Sequence, residues 1–92
     1  MHEKHLTEDL VRKLESLAAD EGARVIRIRV RLGALSHFTP EHFREHFDAA
    51  ALGTLAEGAE VQAEIDPDPT APGAQGVLLE TVELELDREE SP

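Results

Sequence analysis

The first three residues, Met1-His2-Glu3, carry a set of nitrogen donors that could chelate one metal ion. The terminal amine, the amide nitrogen of residue 2 and the imidazole of His2 can bind together. The amide nitrogen of Glu3 can complete a planar set of four. Planar nitrogen donors suit Ni(II) and Cu(II) rather than zinc or magnesium. The amine must lose its proton, and its reference pKa is about 8, so affinity should rise with pH. This chemistry needs a Met1 that is retained and unblocked. The plainer alternative makes His2 an ordinary polar residue at a disordered chain start.

Three further groups of side chains could do chemistry. His5 follows His2 by one helical turn and would lend a second imidazole if a helix starts early. His42 and His46 share a helix at a spacing that lets two imidazoles grip one ion. Glu45 and His37 are near in sequence as possible third ligands. The alternative for this pair is a solvated helix edge, about 100° round from the apolar stripe. Ser36-His37 has no acid partner and no nucleophile turn, so it reads as part of a turn. No glycine-rich phosphate loop is present. The absence of Cys excludes disulfides, thiolate zinc sites and cysteine nucleophiles. No constellation supports an enzyme.

The elements that must position these residues follow from periodicity. His5 to Glu21 predicts an amphipathic helix with Leu6, Leu10, Leu14 and Leu17 as its inward stripe. Thr7-Glu8-Asp9 puts acids in its first turn, and Gly22 is its stop. Arg24 to Leu32 alternates as a strand, with Ile26, Ile28, Val30 and Leu32 inward and Arg27, Arg29 and Arg31 outward. Gly33 ends it. Thr39-Pro40-Glu41 opens a second helix with a Thr cap and Pro at the first position. Phe43, Phe47, Ala50 and Ala51 face inward, and Gly53 closes the helix. Glu60 to Ile65 is a strand with Val61, Ala63 and Ile65 on one side. Asp66 to Gly76 is a Pro/Gly loop. Val77 to Asp87 is a last strand with Val82, Leu84 and Leu86 inward, followed by a frayed acidic tail at 88–92.

The expected fold class is α+β, in the order α-β-α-β-β. Two helices cover one face of a small mixed three-stranded sheet. The first two strands, joined through a helix, should be parallel. The last two, joined by a loop, should be antiparallel. The outer face would set the three Arg beside Gln62, Glu64, Glu83 and Glu85, as solvated partners or as a binding patch. Edge strands without Pro or Lys would permit a homodimer.

With 92 residues, one domain is expected, over residues 1–87. No apolar run approaches the roughly 18 residues of a membrane span, and the start is too charged for a signal peptide. A cytoplasmic protein is expected. The net charge is −11 and unevenly spread. Residues 1–35 carry seven basic and six acidic side chains; residues 36–92 carry two and fourteen. With no Trp or Tyr to stack bases, nucleic acid is an unsuitable partner. A basic protein surface or a metal cation suits the charge better.

Several stretches resemble the HypA family in order. Met1-His2-Glu3 resembles its metal-binding start, and Leu32-Gly33-Ala34-Leu35-Ser36 resembles its strand and G-x-L-S turn. Thr39-Pro40-Glu41 leads to Leu52-Gly53-Thr54, and Glu57-Gly58-Ala59-Glu60 leads into the second strand. The resemblance covers about residues 1–66 and resumes in the final strand. The family carries two Cys-x-x-Cys pairs that hold a structural zinc before its last strand. Here only the loop 66–76 occupies that position, so no zinc is expected.

The resemblance implies a nickel metallochaperone for maturing [NiFe] hydrogenase or urease. It implies Ni(II) at Met1, His2 and Glu3, with His5, His42 and His46 as weaker candidates from the residues alone. The implied partners are a HypB-like maturation GTPase and the hydrogenase large subunit, with the first helix as docking face. The rival reading is a metal-free HypA-like module for protein–protein interaction.

Overall fold

The computed structural model describes the backbone of residues 2–86 and the side chains of residues 5–86. Met1, Asp87 and the expected tail at 88–92 lie outside the described residues, as do the side chains of His2 and Glu3. Five elements follow one another: α1 (His2–Glu21), β1 (Ala23–Leu32), α2 (Pro40–Ala51), β2 (Glu60–Ile65) and β3 (Val77–Leu86). The fold is α+β in the expected order, with two helices and one mixed sheet. The strand order is β2-β1-β3, so β1 is central and the other two are edges. β1 runs parallel to β2 and antiparallel to β3. β2 and β3 share no ladder, because β1 lies between them.

α1 begins at His2, earlier than the expected His5, and stops at Gly22, whose φ of 64° is the left-handed value of a C-terminal stop. Its buried face is Thr7, Val11, Leu14 and Ala18. This corrects the predicted leucine stripe, of which only Leu14 is buried. Leu6 and Leu17 are 37% and 41% exposed, and Leu10 is partly buried. The true face lies one residue further along at three of four positions, about 100° of arc. Small or β-branched residues there let the helix lie close on the sheet. The leucines cover its flank instead, where Leu6 and Leu10 line a cleft with Phe43 and Val77.

Two bulges set the phase of the sheet. The β1/β3 register shifts between Val25 and Arg27, and again between Arg29 and Val30. The first shift turns Ile26 out, to 41% exposure, and puts Val25 in the core at 1%. The expected inward Ile26 is thereby corrected: an extra residue in one strand breaks strict alternation. The second places Val77 and Leu79 on the inner side with Val82 and Leu84. Leu86, expected inward, is exposed, as it pairs with Ala23 at the end of the ladder. In β2, Val61 is buried and Ala63 partly so, while Ile65 at the strand end is exposed rather than inward.

α2 forms as its sequence dictates. The Thr39 hydroxyl accepts from the His42 amide at 3.1 Å, and Pro40 fills the first turn. Phe43 and Phe47 are buried, with centroids 6.3 Å apart. Phe38, just before the cap, is buried too and meets Phe43 edge-on at 5.4 Å. Burying each ring contributes about 1.5–3 kcal/mol.

The loop 66–76 is pinned to the turn after β1. The Gly33 amide donates to the Gly76 carbonyl at 2.9 Å, and the Leu35 amide to the Ala74 carbonyl at 2.7 Å. A Cβ at Gly33 would collide with the Ala74 carbonyl. Gly33 therefore does more than end a strand: it admits the loop that leads the chain into β3.

The outer face is a charge ladder, as expected. Arg27 bonds Glu60 at 3.1 Å and also reaches Glu83. Arg31 bonds Glu80 at 2.9 Å, and Arg29 bonds Gln62 at 3.3 Å. Glu80, brought over by the second bulge, takes the place that Glu64 or Glu85 was expected to fill. Hydrogen bonds from Gln62 and then Arg27 hold the Glu60 carboxyl below its ordinary pKa. These pairs are exposed, so each is worth little.

Two outcomes are expected. Gly33→Ala should destabilise the fold by about 2 kcal/mol, a drop of roughly 10 °C in Tm, because two backbones must part. Gly76→Ala, whose new methyl group meets nothing closer than 4.0 Å, should change it far less. Thermal denaturation followed by circular dichroism measures both. Secondly, a depressed folded pKa contributes stability above the unfolded pKa and loses it as pH falls through the folded one. The stability gap between wild type and Glu60→Gln should therefore be open at pH 7. It should close as pH drops below about 4.3, the ordinary Glu value.

Candidate functional site

Of the expected chelate the structure describes only the backbone of His2 and Glu3, at the start of α1; Met1 and the His2 and Glu3 side chains lie outside the described residues. Because the helix already includes His2, the amides of His2 and Glu3 fall in its first turn. Amides there have no carbonyl partner within the helix and are free for other bonds. A cation at a helix N-terminus faces the positive end of the dipole. Loss of two amide protons on chelation would cancel a 2+ charge and remove that conflict. The helix does start early, with positions 2 and 5 one turn apart along its backbone. The His5 side chain is exposed.

The second group is fully described. Nε2 of His42 and Nε2 of His46 lie 3.1 Å apart. Their ring centroids are 4.7 Å apart and the planes are inclined by 52°. His42 is exposed and His46 is partly buried. Phe38 meets both rings edge-on, at 6.3 Å and 6.4 Å. Glu8 of α1 lines a small cleft with His46, Ala49 and Ala50. Neither Glu45 nor His37 completes a ligand trio: among the described residues, no three His, Asp or Glu side chains converge. Sequence reasoning missed Phe38 and Glu8. Phe38 lies in a turn without periodicity, and Glu8 comes near only through the packing of α1 on α2.

The Ser36-His37 turn is structural. The Ser36 hydroxyl is buried and accepts from the Phe38 amide at 3.3 Å. His37 has φ of 68°, a left-handed conformation that His tolerates better than most residues. On the outer face, Arg27 and Arg31 are bound to carboxylates, which raises their pKa values further and fits the reading of solvated partners. A shallow hollow beside Arg29 is lined by Arg27, Gln62, Thr81 and Glu83.

The comparisons with known proteins converge. Residues 1–70 match the family described as hydrogenase/urease nickel incorporation, metallochaperone, hypA. Relatives with the name hydrogenase maturation factor HypA include one from Methylocella silvestris, 46% identical over 66 residues. That alignment covers 71% of this chain and 58% of the relative. The Chlorobium limicola protein is 43% identical, over 70% of this chain and 56% of its own length. The Archaeoglobus fulgidus protein is 33% identical, over 72% and 61%. This chain thus spans less than two thirds of the relatives it matches. The matched segment holds α1, β1, α2 and β2, and it starts at residue 1, so it includes Met1-His2-Glu3. By this match and these identities, the chain belongs to the HypA family.

Proposed function

We propose that this protein carries Ni(II) for the maturation of [NiFe] hydrogenase or urease. The ion is its cargo, held by the Met1 amine, the His2 amide and imidazole, and the Glu3 amide. The observation that carries this reading is a family match beginning at residue 1, with α1 starting at His2. The first amides of a helix have no carbonyl partner within it, which suits the His2 and Glu3 amides to this chelate. The protein makes and breaks no covalent bond in a substrate: it holds the ion and passes it on. A chain terminus suits that task, because its ligands can release the ion without opening a core.

The partner that gives or takes nickel is a HypB-like GTPase, and the final recipient is the hydrogenase large subunit. α1 is the docking face. Its partly exposed Leu6 and Leu17 form an apolar flank, of which Leu6 lies one turn from the metal end and Leu17 towards the other end of the helix. The loop 66–76 stands where the family has its zinc module, and no Cys is present to bind zinc. Among the described residues, no helix is long and apolar enough to cross a membrane. The site of action is the cytoplasm. The two edge strands are where a homodimer would form.

The decisive measurement is calorimetric titration of Ni(II) into tag-free protein with its native start. His2→Ala should weaken the tightest site at least tenfold, and wild-type affinity should rise between pH 6 and 8 as the amine loses its proton. N-terminal acetylation should act like His2→Ala. Equal affinity in all three proteins would remove the chelate and leave a metal-free interaction module.

A further inference from the structure

The His42–His46 pair has a geometry the N-terminal chelate does not use. Imidazole nitrogens bind divalent ions at about 2.0–2.1 Å. Two of them in neighbouring positions at a right angle then lie about 3.0 Å apart; in a tetrahedral site the same bonds give about 3.4 Å. The observed Nε2–Nε2 separation is 3.1 Å. We propose that His42 and His46 form a second metal site, a two-imidazole chelate for a divalent ion of square or octahedral preference such as Ni(II).

The surroundings support ligation by this pair. Both rings meet Phe38 at edge-type angles, and Phe38 is buried and braced in turn against Phe43. One buried ring thus flanks both imidazoles and narrows their rotamers on that side, so less side-chain entropy is lost when an ion binds. α2 fixes the spacing, since residues four apart face the same way. The cleft beside His46 carries the carboxylate of Glu8, which favours a cation. Water completes the coordination shell. With two protein ligands on a surface, the site is weaker and faster to exchange than a four-nitrogen chelate. It needs no free terminal amine and does not rest on the reading of Met1-His2-Glu3.

The same 3.1 Å also suits a hydrogen bond between two neutral rings. The test separates the two. Tag-free protein carrying His2→Ala removes the terminal chelate. Ni(II) is then titrated while imidazole proton signals are followed by NMR and heat by calorimetry. The expected result is selective paramagnetic broadening of the His42 and His46 ring signals. Added His42→Ala or His46→Ala should each weaken binding at least tenfold, with no further loss in the double variant. Phe38→Leu should weaken it several-fold while the helical circular dichroism stays unchanged. Unbroadened rings at millimolar Ni(II), or affinity unaffected by either histidine substitution in folded protein, would overturn the site and leave a hydrogen-bonded pair. Either result leaves the test of His2 in the otherwise native chain untouched.

Discussion

The central strand must satisfy two different layers at once. On one side, Val25, Ile28, Val30 and Leu32 of β1 are sealed under the helices. On the other, Arg27, Arg29 and Arg31 need carboxylates or amides from both neighbours. Only a strand flanked on both sides can meet these demands, so β2 and β3 are drawn to opposite edges. The charge ladder adds little energy per pair. Its contribution is register: a one-residue slip would send Arg side chains into the core.

This arrangement explains how a chain of 92 residues holds its helices in place. α1 buries Thr7 and Ala18 as fully as Leu14, and it packs against both α2 and β1. This packing brings Glu8 beside His46 and leaves the leucine flank at the surface. The three phenylalanines form one cluster at the start of α2. The histidine pair is built on the wet side of that cluster, with rigid neighbours below and solvent above.

Element types were legible in the sequence, because apolar spacing and capping chemistry speak for themselves. Thr39-Pro40 and the Phe43/Phe47 spacing placed α2 correctly. The phase within elements was less legible. Ile26 and Val25 are equally apolar, and a bulge formed with a distant strand decides between them. Likewise, leucines outweigh Thr7 and Ala18 in any pattern, although small residues set how near two backbones come. For the site, the spacing of His42 and His46 could be read, but not the meeting of their ring nitrogens. Both rings also meet Phe38, a residue that local periodicity does not assign to the core.

The seal between Gly33 and the Ala74 carbonyl divides the loop into two unlike parts. Asp66 to Thr70 bonds mainly to itself, through Asp66 and Asp68 as side-chain acceptors. From Gly73 onward, the backbone is committed to the turn after β1. An insertion would be accommodated at the first part and would tear open the second. The family match ends at residue 70, in that tolerant part. The geometry thus marks a seam at which extra sequence could enter or leave the chain without disturbing the sheet.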